Sequence, residues 1–408
     1  MDINWTKKTA LFLIGQTITL FGSMLVQYSI SWHITLTTKS GLMLTIITIC
    51  GFAPQILISL FAGVWADRYD RKKLIILSDS MIALSTAVLA VLFTLGYDMI
   101  WLLFVISAVR SVGSGIQTPA VSAFMPEIVP EDKLMRVNGI NSSVQGAMML
   151  VAPVAAGGLY AFMGLKSAFW IDVITAAIGT SMLLLVKTTK ATLKSDTQAH
   201  VLREMSDGVR YVFQTKWLKQ FLGFYLIYAL MFGPVMFLTP LMVARSFGDE
   251  SWRLVVHEVV FAAGMTAGGL TAGILANRFR NKIHMVIAAC TIFGAATAVM
   301  GFSPNFWFYL VSMLILGYTM PFVNSGSITI LQTKVSPEFI GRVFSLTGII
   351  FSTAAPLSMA VFGPISDFAK VEILLIITGI AATAIALFTM HFKEMVGAGE
   401  PEPVSEEV

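Results

Sequence analysis

Twelve long apolar runs, separated by short polar stretches, constrain this chain more than any other feature. They lie near 9–34, 42–66, 74–96, 99–122, 137–161 and 167–187, then near 217–244, 252–276, 283–302, 305–331, 342–366 and 371–392. A helix needs about 20 mostly apolar residues to cross a bilayer, and inside lipid it must satisfy its own backbone N–H and C=O groups. Each run is therefore expected to be one membrane-spanning α-helix. Charged residues make up 12% of the 408, about half the share of a soluble domain, so little of the surface is suited to water. The first run, Thr9 to His33, is too long for a secretory signal and lacks a small-residue cleavage site. It is expected to be retained as the first span.

The basic residues test the count. With both ends of the chain placed in the cytoplasm, the loops predicted to be internal hold 21 of the 27 Lys and Arg, from Lys7 through Arg68–Lys73 and Lys187–Lys219 to Lys393. Five lie outside: Lys39, Lys166, Arg245, Arg253 and Lys370. Arg110 falls within a span. A wrong number of helices would scramble this asymmetry, which follows the positive-inside rule. The same topology accounts for the net charge of +4 without nucleic acid, since no compact basic domain exists. Cys50 and Cys290 sit inside apolar runs and read as packing residues.

The chain repeats itself. Gly63-Val-Trp-Ala-Asp67-Arg68-Tyr-Asp-Arg71-Lys72 follows the second run, and Gly273-Ile-Leu-Ala-Asn277-Arg278-Phe-Arg-Asn-Lys282 follows the eighth. Pro130-Glu131, Arg136-Val137 and Ala152-Pro153 return as Pro337-Glu338, Arg342-Val343 and Ala355-Pro356. Landmarks in the same order argue for duplication of a six-helix unit, one of the known transporter plans. The expected fold is an all-α membrane protein of two pseudo-symmetric six-helix bundles. These cover 1–187 and 216–393, joined by a cytoplasmic linker at 188–215 and followed by a disordered cytoplasmic tail at 394–408.

Gly63 to Lys73 resembles the loop between the second and third helices of the major facilitator superfamily, Gly-x-x-x-Asp-Arg-x-x-Arg-Lys. Asp67–Lys73, Phe261–Gly269 and Pro337–Ser345 look like the macrolide-efflux branch of its drug:proton antiporters. Asp70 stands where many members have glycine. The resemblance implies a gating loop built from Gly63, Asp67, Arg68, Arg71 and Lys72. Asp67 lies at a helix C-terminus, where the macrodipole disfavours an anion, and so is expected to need a partner. Neutral Asn277 in the second copy implies a weaker clamp. Gly139, Pro153, Gly157 and Gly158 loosely resemble the antiporter motif of the fifth helix and imply a hinge there, against ordinary close packing.

Proton coupling needs a carboxyl whose surroundings change between two states. Glu258, Asp172 and Asp79 are the candidates, in that order, with His257 a weaker one. Arg110 is costly at membrane depth and so expected to face a partner or a cavity; it resembles the family's fourth-helix arginine, which is linked to proton transfer. Gln16, Gln27, Gln117, Tyr225, Tyr228 and Asn324 are polar groups in helices that the resemblance places around a central cavity, with helix–helix hydrogen bonding as the alternative. Soft Met and aromatic faces suit bulky hydrophobic ligands. No phosphate-binding glycine loop, metal-ligand spacing or nucleophile elbow is visible, so no cofactor, metal or enzymatic activity is expected.

The reading that emerges is a monomeric, proton-driven exporter of small hydrophobic or amphiphilic compounds in the bacterial cytoplasmic membrane. An exporter of an endogenous metabolite such as a siderophore or peptide is the alternative. A nutrient importer ranks below it, and a non-transporting receptor or scaffold is disfavoured by the repeated loops.

Overall fold

The computed structural model describes residues 5–186, 208–275, 278–279 and 281–400. Among these, twelve helices are long and apolar enough to cross a membrane, and no strand occurs. The first six are α1 (Trp5–Thr38), α2 (Gly41–Arg68), α3 (Arg71–Thr94), α4 (Ile100–Ile128), α5 (Leu134–Met163) and α6 (Leu165–Leu185). The second six are α7 (Lys216–Met242), α8 (Ser251–Leu275), α9 (Lys282–Met300), α10 (Phe306–Lys334), α11 (Ile340–Phe368) and α12 (Val371–Thr389).

Polar residues set the helix starts. Ser40, Asp70, Asn281 and Asn305 each accept a hydrogen bond from a first-turn N–H of α2, α3, α9 and α10 respectively, the N-cap arrangement that satisfies otherwise orphaned donors. Asp70, unusual for the loop pattern, is therefore a cap: its carboxylate takes the Lys73 N–H at 3.2 Å.

Two compact units divide the chain. One holds Met1–Asp196 with Asp249–Val255, the other Thr197–Gly248 with Val256–Val408. The duplication seen in sequence returns in packing. In the first unit α3 packs on α4 and α6, and α1 on α5 and α6; in the second, α9 packs on α10 and α12, and α7 on α11 and α12. Lipid removes most of the hydrophobic drive between helices, so close van der Waals approach at small residues must hold them. α8 and α10 show this: a Cβ on Gly268 would be driven into the Tyr318 carbonyl, and one on Gly317 into that of Phe261.

The described parts of the polar segments contain short helices. Within the expected linker, residues 208–214 are helical, with the Tyr211 ring stacked on Phe339 at 4.3 Å. Residues 188–207 lie outside the described ones. The expected tail begins with a helix, Lys393–Ala398, that docks against α7 and α9. Buried Met395 and the bond from Asn281 Nδ2 to the Val396 carbonyl (2.8 Å) hold it. The acidic, proline-bearing composition that suggested a tail belongs to residues 400–408, of which 401–408 are not described.

Gly268→Val should lower the melting temperature of the detergent-solubilised protein, because overpacking costs about 1–3 kcal/mol. Gly269→Val should leave it unchanged, since nothing lies within 4 Å of a Cβ there. Differential scanning fluorimetry of the two variants checks this.

Candidate functional site

Arg110 lies in the middle of α4 and is 9% exposed. Its Nη1 donates to Asp172 of α6 and to Thr86 of α3. Asp172 is fully buried, and Ser23 of α1 donates to its Oδ1 at 3.3 Å. One guanidinium thus ties four helices. α1 can approach because residue 22 is glycine: a Cβ there would meet Asp172 Cα at 3.1 Å.

A second carboxylate lies nearby on the same scaffold. Asp79 of α3 is 1% exposed, and Gln117 of α4 donates to its Oδ1. Gln16 of α1 stands near the same carboxyl, while Oδ2 accepts no hydrogen bond. Gln16 and Gln117, expected at a cavity or between helices, are thus engaged between helices. Gln27 is exposed on α1.

The gating-loop residues knit one end of the first unit. Arg71 donates to the carbonyls of Ala66 (2.9 Å) and Ala123 (3.0 Å) and pairs with Glu127 at 2.9 Å. Lys72 donates to the carbonyls of Leu184 (3.0 Å) and Val186 (2.7 Å), the C-terminal end of α6. The loop therefore fastens the ends of α2, α3, α4 and α6 over a buried cluster that includes Phe12, Ile75, Phe124 and Leu183. Arg68 and Gly63 are exposed. The Asp67 side chain and residue Asn277 lie outside what is described. α5 runs as one helix through Pro153. Gly157 is buried beside Trp32, whereas nothing lies within 4 Å of a Cβ on Gly139 or Gly158.

The second unit is built differently. A cavity of about 350 Å³ is lined by Tyr225, Tyr228, Ala229 and Phe232 of α7, Met265 of α8, Met320 to Ser325 of α10 except Phe322, and Phe351 of α11. No charged side chain lines it. Tyr225, Tyr228 and Asn324, expected as cavity residues, are brought together there. A smaller pocket of about 40 Å³ shares Phe232 with it and contains Val235, Met236, Thr239, His257, Glu258, Phe261 and Met313. His257 is buried, its Nδ1 at 2.6 Å from the Tyr309 hydroxyl, which also reaches the Thr239 carbonyl at 3.4 Å.

These two six-helix units, a charge-tied first and an apolar-lined second, can be set beside known proteins. A profile described as Major Facilitator Superfamily matches residues 10–359. This chain belongs to the major facilitator superfamily. A macrolide efflux protein A of Streptococcus pyogenes is 30% identical over 395 residues, covering 96% of this chain and 97% of that one. One from Enterococcus faecalis is 31% identical over 315 residues, covering 76% and 97%. Among solved structures, a nucleoside transporter superposes with a TM-score of 0.73 at 13% identity, covering 95% of this chain and 99% of that one. A bacterial homologue of the iron transporter ferroportin in an inward-facing state gives 0.70 at 16%, covering 95% and 99%. At these identities the solved structures establish the fold.

Sequence reasoning reached Arg110, Asp172 and Asp79 as lone ionisable groups in this transporter, but not Thr86, Ser23 or Glu127. Ser and Thr are common in its helices, and nothing in their spacing marks the two that meet a charge. The apolar wall formed by Phe232, Met265, Met320 and Phe351 was equally hidden.

Removing one partner of a buried ion pair costs about 3–5 kcal/mol. Arg110→Leu and Asp172→Leu should each sharply lower thermal stability in detergent, and the double variant should recover part of the loss. A double-mutant cycle of melting temperatures reads the coupling; additive losses would deny that the two groups act as a pair.

Proposed function

We propose that this major facilitator protein is a proton-driven exporter of hydrophobic or amphiphilic compounds, macrolide-like drugs among them, working as a single chain in the bacterial cytoplasmic membrane. The observation that carries the reading is the cavity of the second unit, walled by aromatic rings and thioethers with a few neutral polar groups. Such a wall fits bulky apolar ligands without demanding one hydrogen-bond pattern. Similarity to macrolide efflux proteins over nearly the full length supports it. A sugar or organic-anion importer would want fixed cationic or polar groups in its cavity, and this one has no charged residue.

Energy would come from protons moving inward through a carboxyl that is exposed differently in two states. The geometry ranks the candidates. Asp172 is occupied by Arg110, which suits a structural tie. Asp79 accepts from Gln117 on Oδ1 and has no partner on Oδ2, leaving room for a proton there. Among the described residues, the Glu258 carboxyl accepts no hydrogen bond, and it faces the small pocket. Glu258 and Asp79 are therefore the preferred proton carriers. The loop at Arg71 and Lys72 would act as the latch of its unit, and the Pro153 region of α5 as a flexible element.

Proteoliposomes loaded with a fluorescent amphiphile or a labelled macrolide test this. An imposed pH gradient should drive movement of at least one of them. Phe351→Ala together with Tyr225→Ala should slow it several-fold with the protein still folded. Gradient-independent leakage identical to empty liposomes, for both compounds, would overturn the proposal.

A further inference from the structure

The two copies of the loop repeat keep one spacing. Counted from Gly63 and Gly273, Asn281 stands where Arg71 stands, and Lys282 where Lys72 stands. In the first unit these positions bind carbonyls with charged groups. Arg71 reaches Ala66 and Ala123, and Lys72 Nζ reaches Leu184 and Val186 at the end of α6, the last helix of its unit. In the second unit the same two positions also reach the end of the last helix and the chain beyond it, but with neutral groups. Asn281 Nδ2 donates to the Val396 carbonyl at 2.8 Å, and the Lys282 backbone N–H donates to the Gly399 carbonyl at 3.2 Å.

The receiving segment is the short helix Lys393–Ala398, held to the end of α12 by a tight turn. The N–H groups of His391 and Phe392 donate to the Phe388 and Thr389 carbonyls at 3.0 Å each, and the Phe392 ring stands edge-on to Phe388. So short a helix does not hold in water by itself, and its order depends on what it docks against. Met395 is fully buried, and the helix packs on α7 and α9. Gly399 lies so close to Asn281 that a Cβ there would be driven into Oδ1. That oxygen is already in use, accepting from the Ile283 and His284 N–H groups at 2.9 and 3.3 Å as the cap of α9. One buried amide thus caps α9 with its oxygen and holds the end of the chain with its nitrogen. The Lys216–Glu394 pair beside it is exposed on both sides and adds little.

Transporters of two bundles work largely by rocking one bundle against the other, so each has to keep its own helix ends together as it moves. The first unit does so with Arg71 and Lys72. Resting on the export reading above, we propose that Asn281 and the C-terminal helix are the latch of the second unit. This neutral tie joins the starts of α7 and α9 to the end of α12, with Asn281 as its positioning residue. Because α7 carries Tyr225, Tyr228 and Phe232, a loose α7 end lets the cavity wall move apart from its bundle. A compound then still binds but is moved less effectively.

The test compares full-length Asn281→Asp and Met395→Asp, which break the contact from opposite sides. Aspartate caps a helix as well as asparagine but has no N–H for Val396, so the first variant keeps the start of α9 and loses the tie. Hydrogen exchange resolved to single amides in detergent reads the contact. The Lys282 amide should exchange about tenfold or more faster in both variants, while Ile283 and His284 in Asn281→Asp stay within about threefold of wild type. In proteoliposomes under a pH gradient, both variants should move the fluorescent amphiphile at least about threefold more slowly. Its equilibrium binding should stay within about twofold of wild type, which also shows that the variants are folded. Lys216→Gln should match wild type in all three readouts. An unchanged Lys282 amide, faster exchange with unchanged transport, or a loss of binding that parallels the loss of transport would each overturn the latch while leaving export standing. A wild type that moves neither the amphiphile nor the macrolide would overturn the export reading, and the latch would then stand or fall on the exchange result.

Discussion

A guanidinium in the middle of a membrane helix has to be neutralised, and the arrangement of the first unit follows from that requirement. An unpaired arginine at that depth costs at least about 2.5–3.5 kcal/mol even on the mildest scale. Arg110 meets Asp172 and Thr86, and Asp172 is met by Ser23, so α1, α3, α4 and α6 are drawn to one point. Glycine at position 22 admits α1, and Gly113 lets α4 lie against Ile82 of α3. At the end of the same helices, Arg71 and Lys72 capture carbonyls at the ends of α2, α4 and α6. A charged centre and a charged rim together tie the helices of the first unit.

The second unit repeats the packing, and among its described residues no arginine sits in the middle of a span. α9 on α10 and α12 mirrors α3 on α4 and α6, yet α10 has Lys334 as its single charged residue, at its very end. Where α3 and α4 present Asp79 and Arg110, α7, α8 and α10 present rings, thioethers and two tyrosines around a cavity. Close backbone contacts such as Gly268 against the Tyr318 carbonyl hold its helices together in mid-span, and ion pairs such as Arg245–Asp367 lie at the helix ends. The two copies share one packing plan and differ in a few inward side chains, an ion pair in the first and an apolar-walled cavity in the second.

The twelve spans were legible because lipid imposes a simple rule on composition, and the repeat because its loops carry distinctive charges and prolines. Arg110 was legible as a lone cation in an apolar run. Its partner was not, since Asp172 lies 62 residues away and α4 and α6 meet only through the fold. Tyr225, Tyr228 and Asn324 stood out as polar residues in apolar helices and did converge, whereas Gln16 and Gln117 stood out equally and turned inward to Asp79. Polarity in a span signals a partner but does not name it. Phe232, Met265 and Phe351 were invisible among 29 Phe and 23 Met, because whether such a side chain faces lipid or a cavity depends on the rotation of its helix.

The central claim is that the ligand space belongs to the second unit and the first is its charge-tied counterpart. Photolabelling with a diazirine-bearing lipophilic amine, followed by peptide mapping by mass spectrometry, tests it most directly. Labels should concentrate on the segments carrying Tyr225–Phe232, Met265, Met320–Ser325 and Phe351, and excess unlabelled compound should suppress them. Competable labelling confined to α1, α3, α4 and α6 would contradict the account.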